Sequence, residues 1–468
     1  MEKFILLLYN SKNIVYEYKN LLSTEETNIP NNVSLTIQFF KKRNIWFKLA
    51  RNRGFSEVNS CSEAAHNRSR LGSFGIPLRD ELKSLFVKIN NSNIFFMLHC
   101  RANRNFSFEK IEILLKNKGF FNSFNNIDTS NLCKIDGDEL NNKFDMEYGL
   151  VNPFCIEEKL EDCSKIFHIF DTSLTENFIP PYTMMTNAGS KSWSVEFSPI
   201  EITKLFNNSL TENVTTNYTE SKKLSIGILT GNGPESGMFL WELINRIIRN
   251  KLSDKCQGDI DLPEVKVESD PDMGLSMELE EREFLTKKAV EKGISSLCKR
   301  GAEIITIACN TTQYFKSDIE KICHKYNVRF VSMEEPLIAY IEKNNIENFS
   351  FLGIKYTIDK HFSGFKKIFK HQVEFITEKA LNEMSKLGFL IKKEGISSKS
   401  INQLRNIINQ NTNCDIVVIA LTEITILMDS QKKKSIHGKK YIDTLKLLAE
   451  YIADIYLNSL YPRDQCYC

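Results

Sequence analysis

Short apolar runs alternate with longer stretches of helical spacing through the second half of the chain. Leu224–Leu229 reads as a buried strand and runs into the turn-forming segment Thr230-Gly231-Asn232-Gly233-Pro234-Glu235. Apolar positions then recur every three to four residues from Ser236 to Asn250, so the spacing predicts a strand–loop–helix unit. Further strands are predicted at Glu303–Ala308, Val328–Ser332, Phe349–Gly353 and Ile416–Leu421, with helices at Glu278–Arg300, Thr312–Tyr326 and Ile401–Gln410 between them. Strict alternation of this kind predicts a parallel sheet covered by helices on both faces. The first half is less regular. Its candidate strands are Phe95–Cys100, Lys165–Asp171 and Thr183–Asn187, and a mixed sheet is expected there.

Between the halves, NNSLTENVTTNYTESKK has almost no apolar residues and reads as an exposed connector over residues 207–223. The expected domains are therefore 1–206 and 224–462, and a length of 468 residues favours two cores over one. Hydrophobic residues at 42% and charged residues at 26% fit a folded soluble protein rather than a disordered one. The apolar run Phe4–Tyr9 is too short for a secretory signal, and no segment has the length of a membrane span, so a cytoplasmic protein without membrane association is expected. Twelve cysteines without a CxxC pair predict reduced thiols and no metal site; Cys466 and Cys468 are the only close pair. The net charge of +2 hides a basic start. Residues 1–104 hold 16 Lys/Arg against 8 Asp/Glu, and Lys41–Arg53 carries six basic residues and no acid. Two readings of that stretch stay open: a phosphate-contacting patch, or a solvated helix face whose buried side is Trp46, Phe47 and Leu49.

Cys309 follows the Glu303–Ala308 strand directly, in Cys309-Asn310-Thr311-Thr312. A thiol where a parallel strand meets a helix start sits where doubly wound sheets bind ligands, among amides that favour a carboxylate or a thiolate. Five motifs occur in order around it: IGILTGNGPES, GAEIITIACNTTQYF, FLGIKYT, DIVVIALTEI and IDT. Together they make residues 222–460 resemble the aspartate/glutamate racemase family. The resemblance implies two pseudo-symmetric doubly wound lobes, no cofactor, an amino-acid substrate and, by analogy, a homodimer. It also implies proton exchange at Cα by cysteines on opposite faces, since inversion removes the proton on one face and returns it on the other. Cys309 takes the first position; Asn310, Thr311, Thr357 and Thr422 match residues that hold the substrate, with Glu423 next in the motif. At the second cysteine position the chain has Leu421, which cannot carry a proton; Gln313 stands for the usual His and Tyr356 for a Gly. Three outcomes stay open: racemisation with another acid, a one-face reaction, or binding alone.

The first half holds Lys83 in ELKSLFVK, the loop Gly149-Leu150-Val151-Asn152-Pro153, Asp171, and the segment Asn187-Ala188-Gly189 leading to Trp193-Ser194. In this order they resemble the YbaK/prolyl-tRNA-editing family of aminoacyl-tRNA deacylases over about 140 residues. That resemblance implies hydrolysis of a mischarged aminoacyl-tRNA ester without metal. Lys83 and Asp171 would be catalytic-site residues, Gly149 and Pro153 would hold the ester, and Arg101 and Arg104 would contact the tRNA acceptor end. Joined, the halves suggest trans-editing hydrolysis coupled to a racemase-like activity on aspartate- or glutamate-type substrates. The competing expectation is a regulator whose racemase-like domain senses an amino acid without turnover.

Overall fold

The structure is a computed structural model that describes residues 29–52, 60–70, 73–89, 93–118, 132–159, 166–176, 178–216, 219–430, 435–436 and 438–462, with two short strands at 8–9 and 15–16. The expectations placed on the opening segment, Arg53, Lys165, Cys466 and Cys468 lie outside the described residues. The chain divides into two compact units. One comprises Met1–Lys222 with Leu252–Asp261 and Tyr461–Cys468; the other comprises Lys223–Lys251 and Leu262–Leu460. The two outlying segments join the first unit through side chains: Arg70 Nη1 donates to Gln257 Oε1 at 3.5 Å, and the Arg79 guanidinium lies 4.9 Å from the Tyr461 ring.

The first unit is built on a five-stranded mixed sheet in the order Ser209–Glu212, Ile166–Asp171, Phe95–Arg101, Leu82–Ile89, Leu132–Lys134. Its first three strands are parallel and the rest antiparallel. A three-stranded antiparallel sheet of Met184–Ser190, Trp193–Phe197 and Phe47–Arg51 completes the framework. The helix Asn31–Lys42 buries Val33, Thr36, Ile37 and Phe40, one stripe at helical spacing, into a core of Phe39, Phe47, Phe154, Phe197 and Phe206. Ser107 caps the helix Phe108–Asn117 by accepting from Lys110 N–H, and Ile111 and Leu115 bury its inner face.

Two expectations are corrected here. The stretch 207–223 is not an exposed connector throughout: Ser209–Glu212 pairs in parallel with His168–Asp171, and Val214 and Thr215 are buried. An edge strand without a fully buried residue reads as loop in sequence. The basic stretch at Lys41 is not one helix face either. The helix ends at Lys42, and Phe47–Arg51 is a strand with Phe47 and Leu49 inward and Trp46 exposed. Lys42 and Arg43 both pair with Glu158.

The second unit contains two sheets of one topology. In the first lobe the parallel order is Glu264–Ser269, Ser225–Thr230, Ile304–Ile307, Arg329–Phe330; in the second it is Gln372–Phe375, Asn348–Leu352, Ile416–Ile419, Lys439–Asp443, with Ser435–Ile436 antiparallel at the edge. Each lobe thus places its second strand outermost and its first beside its third, and this repeat is the expected doubly wound, pseudo-symmetric α/β architecture. Every residue of Ser225–Thr230 is buried, as a central parallel strand requires. The predicted helix Thr312–Tyr326 begins with a 3-10 turn, Thr311–Phe315, before the α-helix Lys316–Lys325. Among the described residues no helix is long and apolar enough to cross a membrane.

Candidate functional sites

In the second unit the repeat fixes equivalent positions. Cys309 lies two residues beyond the end of Ile304–Ile307, and Leu421 two residues beyond the end of Ile416–Ile419. The side chains at these corresponding positions are therefore a thiol in the first lobe and an isobutyl group in the second. Cys309 is 8% exposed. Its carbonyl accepts from Gln313 Nε2 at 3.0 Å, while Gln313 Oε1 accepts from Met333 N–H at 3.2 Å. The Gln313 amide thus ties two strand ends together. Cys414, at the other end of the Ile416–Ile419 strand, donates its N–H toward Ser350 and Glu374.

Around Cys309 the polar groups are incompletely satisfied. Asn310 Oδ1 lies 2.9 Å from the Thr444 hydroxyl, but Asn310 Nδ2 has no hydrogen-bond partner among the described residues. The same holds for Asn232 Oδ1 and Ser236 Oγ, both buried where the neighbouring strand Ser225–Thr230 passes into its helix. An orphaned donor, an orphaned acceptor and a hydroxyl at adjacent strand ends carry a desolvation cost that a zwitterionic ligand would remove. The loop can bend this way because Gly231 has φ +131 and its backbone touches Asp270: a Cβ there would stand 1.9 Å from Asp270 O.

Glu423 is 5% exposed and pairs with Lys392 at 3.2 Å; Lys392 also donates to Asn232 O at 2.7 Å. Thr422 Oγ1 lies 3.4 Å from Glu423 Oε2. Thr311 is buried beside Cys309. Thr357 differs from its expected role. Its hydroxyl donates to Ile354 O at 2.8 Å and accepts from Ile354 N–H at 3.0 Å, which spends it on its own helical turn. Tyr356 packs against both the core cluster containing Cys309 and the one containing Leu421. Lys392 and the Asn232–Ser236 pair were not legible as partners in the sequence, because a lysine in a Lys-Lys run carries no positional signal.

In the first unit, Lys83 and Gly149 line two cavities of about 350 and 320 Å³, together with Ser84, Tyr148 and Val151. Asn187 lines the second. The structure therefore brings Lys83, the glycine loop and the Asn187 segment together. Gly149 has φ +84 and open space where a Cβ would point. Pro153 begins the helix Pro153–Lys159, whose first amides at Phe154 and Cys155 donate to Asn152 Oδ1 at 2.8 and 3.0 Å. Asn152 Nδ2 donates to Asn187 O at 2.6 Å and Asn187 Nδ2 to Val151 O at 3.3 Å, stitching loop to strand. Lys83 Nζ donates to Arg104 O and lies 5.4 Å from the Phe106 ring centroid. Arg68 and Glu81 form a buried two-point pair at 2.8 and 2.6 Å in the wall of the second cavity; burial raises the Glu81 carboxyl, and Arg68 opposes that shift.

Three expected residues lie elsewhere. Asp171 lines neither cavity. Its carboxylate is fully buried and accepts from Arg104 Nη1 at 2.9 Å, Ser173 N–H at 3.1 Å, Val214 N–H at 3.1 Å and Thr215 Oγ1 at 3.0 Å. Arg104 is the buried partner of that carboxylate, and Arg101 is buried too, donating to Ser173 O and Arg79 O at 2.8 Å each. Neither arginine presents its charge at the surface for RNA, because the interior carboxylate and carbonyls engage it.

One constellation escaped the sequence reading. Ser84 Oγ lies 2.9 Å from His99 Nδ1; His99 Nε2 lies 3.0 Å from His168 Nδ1; His168 Nε2 lies 3.0 Å from Glu157 Oε1. Register explains it: Ser84 opposes His99 across the antiparallel pair, and Met97 opposes His168 across the parallel one, so period 2 puts all three side chains on one sheet face. The planes of the two imidazoles are within 9° of parallel, with Phe170 stacked on His99 at 4.6 Å and Phe206 packed at a tilt against His168 at 4.2 Å. Burial, and then the neighbouring His168, hold His99 well below the ordinary histidine range. Among the described residues no group of three or more His, Cys, Asp or Glu is placed to hold a metal ion.

No protein-family model matches the sequence, and no curated protein matches it. Solved structures of racemase type do align with about half of the chain. An aspartate racemase from Picrophilus torridus is 18% identical, with 51% of this chain and 94% of that one covered at a TM-score of 0.40. An aspartate racemase homologue from Pyrococcus horikoshii is 20% identical, covering 50% and 99% at 0.40. The glutamate racemase of Francisella tularensis, solved with D-glutamate, is 13% identical, covering 50% and 82% at 0.36.

Proposed function

We propose that the second unit binds a small acidic amino acid and exchanges its Cα proton on one face through Cys309, and that the first unit hydrolyses an aminoacyl ester of the tRNA acceptor end. The observation that carries the first half is the set of unsatisfied buried polar atoms at Asn310, next to Cys309 in the chain, and at Asn232 and Ser236 beyond the neighbouring strand, with Leu421 at the corresponding position of the second lobe. Asn310 Nδ2 suits a carboxylate oxygen and Asn232 Oδ1 an ammonium group. A thiol on one face with a hydrocarbon on the other removes and returns the proton on the same side, which exchanges without inverting. For the first unit the support is the meeting of Lys83, Gly149 and Asn187 around the two cavities. Leu421 also favours a second reading, in which the amino acid is sensed without turnover.

The test of the second unit is incubation of the full chain in deuterated buffer with L- and D-aspartate and glutamate. Cα deuteration is followed by NMR and configuration by chiral chromatography. Exchange with retention, lost in Cys309→Ala, is the expected result. Exchange with inversion would require another acid and overturn the one-face mechanism. Saturable binding without exchange would leave the sensing reading. The first unit is tested by release of amino acid from a panel of mischarged tRNAs.

A further inference from the structure

We propose that Ser84 is an acyl-accepting nucleophile: its hydroxyl, activated through His99, His168 and Glu157, attacks the carbonyl of a carboxylic ester bound in the cavities beside Lys83 and Gly149. The inference rests on reading the first unit as an ester hydrolase and goes beyond it by naming the attacking atom.

Hydrogen-bond direction carries the argument. A carboxylate has only acceptors, so Glu157 fixes the proton of His168 on Nε2. His168 Nδ1 is then an acceptor and takes the proton of His99 Nε2. That leaves His99 Nδ1 as the acceptor for Ser84 Oγ–H. These tautomers are assigned from the network: with both imidazoles neutral and Glu157 ionised, one direction satisfies every link. The chain therefore points its basic end at the serine, and Ser84 lines both cavities. A stacking role alone would be met by apolar rings. Two buried imidazoles and a carboxylate in series are costly to bury, and such a series orients a base as the third member of a Ser-His-acid triad does.

The step balances. As Ser84 Oγ bonds to the ester carbon, its proton passes to His99 Nδ1, and the positive charge that forms is held by His168 and Glu157. The tetrahedral adduct expels the alcohol, which takes the proton back from His99, leaving acyl-Ser84. Water, deprotonated by the same nitrogen, cleaves the acyl ester and restores the serine.

The experiment uses the full chain and a fluorophosphonate, which labels activated serines covalently, with intact mass and peptide mapping as readout. The expected result is one adduct at Ser84, absent in Ser84→Ala; Ser84→Cys should instead take up iodoacetamide at that position, which reports an accessible, folded site. Glu157→Gln should slow labelling by roughly 10- to 100-fold without moving the urea midpoint, and added formate should restore the rate of Glu157→Ala; unchanged rates would reduce Glu157 to packing and overturn the relay. No adduct at Ser84 in a chain that still releases amino acid from tRNA would overturn the nucleophile and leave the hydrolase reading with direct attack by water. An adduct at Ser84 in a chain that spares every aminoacyl-tRNA would uphold the nucleophile and refute the tRNA substrate.

Discussion

Replacing Arg104 by Met separates an interior role from an RNA-contacting one. The guanidinium is 7% exposed and bonds at 2.9 Å to a carboxylate that is 0% exposed. In the variant Asp171 keeps three neutral donors, from Ser173, Val214 and Thr215, but loses its buried counter-charge. Breaking one side of a buried ion pair costs about 3–5 kcal/mol, and the three remaining donors put this case near the lower end, about 3 kcal/mol. For a unit of about 240 residues, each kcal/mol lowers Tm by about 2–4 °C, so a drop of roughly 6–12 °C is expected. Urea unfolding followed by tryptophan fluorescence reads this out, because Trp46 and Trp193 both lie in the first unit. A loss under about 0.5 kcal/mol, the size of an ordinary surface substitution, together with weaker tRNA binding would refute the interior assignment and restore the surface-contact expectation.

Other consequences follow from the same geometry. His99, held low by burial, takes up a proton more readily unfolded than folded; stability is full above its unfolded value and falls as pH drops below about 6.5, by at most about 1.4 kcal/mol per pH unit. The difference in unfolding free energy between the wild type and His99→Gln, measured from pH 5 to 7.5, should carry that slope, and a flat difference would contradict it; the opposing contribution of Glu81 cancels in the subtraction. Gly231→Ala drives a methyl to within 1.9 Å of Asp270 O in a backbone conformation L-residues rarely adopt, so the variant should unfold at much lower urea, and an unchanged midpoint would mean the loop rearranges freely. Leu421→Cys places a second thiol at the position that corresponds to Cys309 in the other lobe, at a cost of about 1–3 kcal/mol for the lost packing. Chiral analysis of aspartate and glutamate should then show inversion that the parent lacks, and exchange still confined to retention would argue that Leu421 is not on the second face.

The second unit was largely legible from sequence because a parallel strand buried on both faces is a continuous apolar run and its helix a periodic one, each encoded by neighbours in the chain. Glu303–Ala308 and Ile416–Leu421 were found within two residues of the observed strands, and with them the positions of Cys309 and Leu421. Strands with mixed faces escaped: Glu264–Ser269 and Gln372–Phe375 hold no fully buried residue, so nothing in their composition separates them from loop. In the first unit, Lys83 and Gly149 line a common cavity, whereas Asp171, Arg101 and Arg104 are buried away from it, a difference that motif order does not carry.

By itself the sequence determined where thiols, glycines and apolar periods lie, and hence the two-lobed α/β unit with Cys309 and Leu421 after corresponding strands. Only the tertiary structure decided which charged groups turn inward, and only strand register set Ser84, His99 and His168 on one sheet face, where the helix Pro153–Lys159 brings Glu157 to His168. The physical reason is range. Helix and strand periods are properties of adjacent residues, whereas the pairing of Ser84 with His99 and of Met97 with His168 is chosen by whichever register buries the most apolar surface across segments distant in the chain.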